Sequence, residues 1–151
     1  MPKFTVFILA ETVHGLDTTL HAARIAPDIL VIHDGDAAIE RLCFLNRARC
    51  MPRIPGVTLG AHVMDAFHDW LLLLQPGELL NPETISAIES WKRRKRDDCG
   101  GYLIRCDESD RPQLRFVNRT VVNWVGDFPP VPTNAGIFPG AIVRSIALRA
   151  A

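Results

Sequence analysis

Ala66-Phe67-His68-Asp69-Trp70-Leu71-Leu72-Leu73-Leu74-Gln75-Pro76-Gly77-Glu78-Leu79-Leu80 is the stretch on which the reading of the fold turns. Trp70–Leu74 is a continuous apolar run of five residues, a length matched by Val6–Ala10. A run of that length without alternation fits a strand buried on both faces, as in a parallel sheet. It is far too short to cross a bilayer. Pro76 and Gly77 stop it abruptly, and a carboxylate, Glu78, follows the stop. Open α/β sheets gather ligand chemistry at the carboxyl ends of such strands. A core strand followed by an ordinary turn accounts for the same residues.

Working outward, the amino-terminal side repeats the pattern twice. Phe4-Thr5-Val6-Phe7-Ile8-Leu9-Ala10 is rich in β-formers and predicts a first buried strand, with Glu11 and Thr12 at its end. Leu16, Leu20 and Ala23 share one face of a helix that Pro27 closes. Ile29-Leu30-Val31-Ile32 predicts a second strand, and His33-Asp34-Gly35-Asp36 follows at once. Two acids around a glycine at a strand end suit a ligand-facing turn; equally, Asp36 suits the N-cap of the next helix, whose inner side carries Ile39, Leu42 and Cys43. The two prolines between Met51 and Gly56 predict a loop or a short edge strand. Thr58 is placed to cap a third helix with Leu59, Val63, Ala66 and Phe67 on its apolar face.

On the carboxyl-terminal side, Asn81-Pro82-Glu83 opens a helix with a cap, a proline in the first turn and an acid near the dipole's positive end. Ile85, Ile88 and Trp91 face the sheet. Lys92–Arg96 is a run of five basic residues. It reads as a solvated helix end rather than a nucleic-acid patch, because Asp97 and Asp98 adjoin it and the chain's net charge is zero. After Gly100 the character changes. Tyr102–Cys106 predicts a strand, Leu114–Val125 a β-rich segment bending near Asn118-Arg119, Phe128–Pro139 a long loop with four prolines, and Ile142–Ile146 a closing strand.

Composition sets the class. With 151 residues, 48% hydrophobic and 23% charged, the chain can bury one sizeable core, as expected of one soluble globular domain. No signal peptide or transmembrane segment is expected, so the expected location is the cytoplasm, with four reduced cysteines. Cys43/Cys50 and Cys99/Cys106 are each separated by six residues, wider than the usual spacing of about two to four in zinc sites. Neither a metal nor a thiol nucleophile is expected there. The five histidines form no His-Glu-x-x-His motif, and no P-loop or Gly-x-Gly-x-x-Gly is present.

The order of these elements resembles the family 2 glycosyltransferases with the GT-A fold, and looks closest to the lipopolysaccharide core-type branch. The resemblance rests on Phe4–Glu11, on Val31-Ile32-His33-Asp34-Gly35-Asp36, and on His68-Asp69-Trp70 running through four leucines to Gln75-Pro76-Gly77-Glu78. Asn81-Pro82-Glu83, Pro112-Gln113-Leu114-Arg115-Phe116 and Asn123-Trp124-Val125-Gly126 continue it.

It implies an α/β fold over residues 1–151, with βα units to 97 and mainly strands from 98. The sheet would be a Rossmann-like, mostly parallel one flanked by helices, with antiparallel strands in the last third. It further implies that Glu11, Asp34 and Asp36 hold a nucleotide and that Asp127 is the candidate catalytic residue. Where the family has Asp-x-Asp, this chain has Gln75 and Gly77, and only Glu78 keeps a charge. A divalent cation prefers several charged oxygens, so the expected cofactor is none, or at most a weakly bound Mg²⁺ or Mn²⁺ on Glu78. The favoured expectation is a degenerate, non-catalytic relative that binds a nucleotide, nucleotide sugar, glycan or protein partner. The alternative is an active nucleotide-sugar-dependent transferase with an unusual, metal-poor site. No nucleic-acid partner is expected, and association with a second copy stays open.

Overall fold

A computed structural model of the chain describes residues 3–94, 99–107 and 111–144. Eight strands form one mixed sheet: β1 (Phe4–Ala10), β2 (Asp28–His33), β3 (Arg49–Pro52), β4 (Trp70–Leu74), β5 (Glu78–Leu80), β6 (Gly101–Cys106), β7 (Gln113–Asn118) and β8 (Gly136–Arg144), in the order β3-β2-β1-β4-β7-β6-β8-β5. Three helices accompany it: α1 (Leu16–Ala22), α2 (Ala37–Leu45) and α3 (Pro82–Lys92).

The first, second and fourth strands run parallel, as their unbroken apolar sequences require. β1 pairs with β2 from Thr5↔Asp28 to Ala10↔His33, and with β4 from Phe4↔Trp70 to Ile8↔Leu74. β3 adds a parallel edge beside β2. Beyond β4 the sheet turns mixed: β7 is antiparallel to β4, β6 antiparallel to β7, β8 parallel to β6 and β5 antiparallel to β8. Among the described residues, no helix is long and apolar enough to cross a membrane.

The period of two along β1 divides the core into two faces. Phe4, Val6 and Ile8 join Trp70, Leu72, Leu16, Leu20, Ile88 and Trp91 on one. Phe7 joins Leu71, Leu73, Leu30, Ile32, Leu59 and Trp124 on the other. Trp70 is 8% exposed. It stacks on Phe116 at 5.0 Å and meets the edge of Trp91 at 5.1 Å.

Two expectations are corrected. The helix expected from Thr58 is a 3₁₀ stretch, Leu59–Asp65. Thr58 does not cap it; its hydroxyl donates to the carbonyl of Val125 instead. Gly60 lies so close to the carboxyl-terminal segment that a Cβ there would stand 2.6 Å from the Trp124 carbonyl oxygen. That packing, together with the Gly60 N–H bonded to Gly126 O at 2.9 Å, fixes the segment's path. Phe67 is consequently exposed, with the Arg49 guanidinium 3.5 Å from its ring centre.

The closing strand begins at Gly136, not at Ile142, so the expected Phe128–Pro139 loop is shorter. Pro139 is tolerated inside β8 because the β6–β8 register shifts between Leu103 and Arg105. Gly140 beside it takes a φ of 92°. The expected end of that strand, Ser145-Ile146, lies outside the described residues, as do Lys95 and Arg96 of the basic run.

Candidate functional site

A cleft of about 860 Å³ opens at the carboxyl ends of β1 and β4. Glu11 and Thr12 enter it from the end of β1, and Gln75, Pro76 and Glu78 from the turn after β4. Asp107, Gln113, Arg115 and Arg144 come from the antiparallel side, and Asp127, Phe128 and Val131 from the long loop before β8. Its floor is apolar, with Phe7, Leu59, Leu73 and Leu114. The βα order thus delivers polar groups to the end of the sheet that such folds use.

The turn after β4 is built tightly. Gly77 has a φ of 93°, a region costly for any residue with a side chain. The Gly77 N–H donates to the Thr19 hydroxyl oxygen at 2.8 Å, and the Thr19 hydroxyl donates to the Glu78 carbonyl at 3.0 Å. The Glu78 N–H closes the turn on Gln75 O at 3.0 Å. Gly77, where the resemblance would place a carboxylate, therefore serves backbone geometry.

Glu78 itself is turned inward. Its Oε1 accepts from Arg115 Nη1 at 2.7 Å and from the Gln75 N–H at 2.7 Å, and its Oε2 accepts from Arg115 Nη2 at 3.0 Å. Arg115 also donates to Leu73 O at 3.1 Å and, through Nε, to Gln113 Oε1 at 3.0 Å. Burial alone would lower the guanidinium's pKa, but the bonds and charge of Glu78 outweigh it and raise it. Burial pushes the neighbouring Cys106 thiol up, and Glu78 adds to that against the pull of Arg115. Cys106 is therefore a neutral thiol rather than an activated nucleophile.

These residues do not fit a divalent cation. Both Glu78 oxygens are engaged by a buried cation, Gln75 offers a neutral carbonyl, and Gly77 has no side chain. Among the described residues, no group of three or more His, Cys, Asp or Glu side chains is placed to hold a metal.

The remaining candidates divide by place. Glu11 and Asp127 line the cleft. Asp127 Oδ1 accepts from the Leu59 N–H at 2.9 Å. Asp34 and Asp36 stand at the end of β2 and are not among the lining residues. Asp36 caps α2, accepting from the Ala38 N–H at 2.8 Å, and exposed Asp34 lies 3.8 Å from Arg53 Nε. His33 is fully buried, and its Nδ1 accepts from the Gly35 N–H at 3.0 Å, so it braces the turn. Its Nε2 lies 3.7 Å from Glu40 Oε1.

Arg115 is the residue sequence reasoning passed over. Its one local signal is a guanidinium set among Leu114, Phe116 and Val117 in a strand. A buried arginine needs an acid, but the acid lies 37 positions away. The pair Asp28–Arg49 escaped notice for the same reason. Burial would raise the Asp28 carboxyl, yet bonds from Arg49, Thr5 and the Phe67 N–H hold it below the ordinary carboxylate range.

No protein-family model matches the sequence, and no curated protein matches it. Solved structures do resemble it. Glucosyl-3-phosphoglycerate synthase from Mycobacterium tuberculosis, solved with Mn²⁺, uridine diphosphate (UDP) and glucosyl-3-phosphoglycerate, superposes with a TM-score of 0.51 at 12% identity, over 70% of this chain and 43% of its own. TarS of S. aureus superposes with a TM-score of 0.53 at 11% identity, over 72% of this chain and 23% of its own. The chain thus spans less than half the length of either neighbour. At such identities the likeness speaks for the fold alone: the chain has the α/β fold of GT-A-type glycosyltransferases, a mixed sheet flanked by helices.

Proposed function

We propose that this chain is a glycosyltransferase-like domain that binds a ligand in the cleft at the strand ends and does not transfer sugar. One observation carries the reading. Glu78, the only charged residue left of the diphosphate-handling motif, is bonded through both oxygens to Arg115. A transferase of the resembled kind uses an electrophilic partner for the departing diphosphate, and such electrostatic stabilisation is commonly the largest catalytic contribution. Here the acid that would hold a cation holds a side chain instead. Glu11, Gln75 and Asp127 are the groups we assign to ligand contact in the cleft. Asp34 is at most a contact for a ligand extending over the end of β2.

The second reading, an active metal-poor transferase, draws on the openness of the cleft and on Asp127 at its wall, which would serve as base. Titration calorimetry with Mn²⁺, alone and with UDP, together with an assay for UDP release from UDP-sugars, separates the two. The expected result is no micromolar Mn²⁺ binding and no UDP release. Micromolar Mn²⁺ affinity that disappears in Glu78→Ala, or UDP release abolished in Asp127→Asn, would establish the active enzyme instead.

A further inference from the structure

Resting on that reading, we propose that the cleft's ligand is an uncharged saccharide, held against the ring of Phe128, and not a nucleoside diphosphate. The charge of the lining points there first. Four carboxylates, Glu11, Glu78, Asp107 and Asp127, line the cleft against two guanidiniums, Arg115 and Arg144. Arg115 is spent on Glu78. Arg144 reaches back to the Pro76 carbonyl at 3.4 Å, and its backbone N–H meets Asp107 Oδ2 at 3.5 Å. Acid exceeds base in the lining, and the donor set does not fit a cation that could reverse the balance. A diphosphate entering this field meets like charge in a partly desolvated space, where repulsion is strongest.

The same lining suits a polyhydroxyl ligand. Carboxylates accept hydrogen bonds from hydroxyls, and amide side chains such as Gln75 and Gln113 both accept and donate them, without requiring a counter-charge. Asp127 has one oxygen on the Leu59 N–H and keeps Oδ2 for a ligand. Phe128 supplies the other half of the chemistry. It lines the cleft, is 73% exposed, and makes no ring contact with another aromatic among the described residues. Val131, also exposed, extends this apolar rim. A pyranose has an apolar face of C–H groups and a rim of hydroxyls. An open ring beside hydrogen-bonding groups matches both, whereas a protein partner would bury a broader apolar area.

The test is saturation-transfer NMR and calorimetry on the whole chain, with neutral trisaccharides (maltotriose, mannotriose and chitotriose) and separately with UDP. At least one trisaccharide should bind, and UDP should not. Phe128→Ala should weaken the saccharide about five- to tenfold, and Phe128→Trp should retain it. Phe128 lies outside the core, so both variants keep the fold. Glu11→Gln should raise affinity for UDP, because it removes a like charge. Failure of all three trisaccharides, or binding indifferent to Phe128, overturns the proposal. UDP binding without turnover overturns it too while leaving the non-catalytic reading intact; turnover of a UDP-sugar overturns that reading itself.

Discussion

Glu78 and Arg115 meet where neither side chain is more than 8% exposed. Removing one partner strands the other charge in the interior, so Arg115→Met should destabilise the fold by about 3–5 kcal/mol in urea melts. Replacing both, as Glu78→Leu with Arg115→Met, should recover much of that loss, since buried ion pairs are often no better than apolar groups of similar size. A double-mutant cycle reads this directly. Asp28 makes a pH prediction. Its folded-state pKa lies below its unfolded one, so its contribution is full above the ordinary carboxylate range and fades as pH falls through the folded value. The stability difference between wild type and Asp28→Asn should therefore be largest near neutral pH and shrink as acidification passes below the ordinary carboxylate range, as chemical melts at each pH would show. Nothing in the local sequence around either residue names its partner, which is why both pairs had to be seen rather than read.

At the scale of elements, the legible parts were those whose signal is contained in a few neighbouring residues. The Leu71–Leu74 run, the Asn81-Pro82 helix start and the Asp36 cap each specify their own conformation, and each is found as expected. The Leu59–Asp65 segment shows the opposite. Its apolar spacing suits a helix, but the approach of Gly60 to Trp124 and the bond of Thr58 to Val125 come from residues more than sixty positions away. Candidate residues sorted the same way: Glu11, Gln75, Glu78 and Asp127 reach the cleft, while Asp34 and Asp36 follow β2 to its own end. Two substitutions probe the elements. Trp70→Ala removes a ring packed on Phe116 and Trp91 and should cost about 3–5 kcal/mol in a chemical melt. Gly77→Ala forces a side chain onto a φ of 93° and should cost about 1–2 kcal/mol in the same measurement.

For the whole molecule, the order in which the chain is made differs from the order in which the sheet is laid. β8 lies between β6 and β5, yet it is the last of the described strands to be synthesised. It carries Phe138, stacked on Tyr102 at 4.1 Å, and its Gly140 nestles against Asn81 and Thr84 at the start of α3. Until residue 144 has left the ribosome, β5 has no partner, β6 presents an unpaired side, and the aromatic cluster lacks one wall. The nascent chain therefore carries a sticky ribbon from the emergence of β5 until β8 follows, and folding waits on a contact between segments about sixty residues apart. Refolding from denaturant should be slow for the chain's size, on the order of milliseconds to seconds, and a chain ended at Ala135 should aggregate rather than fold. Stopped-flow fluorescence of the tryptophans and light scattering of the shortened chain would measure the two. Cells making this protein would accordingly be expected to rely on holdase chaperones at the ribosome exit, a dependence that originates in one late strand inserted between two early ones.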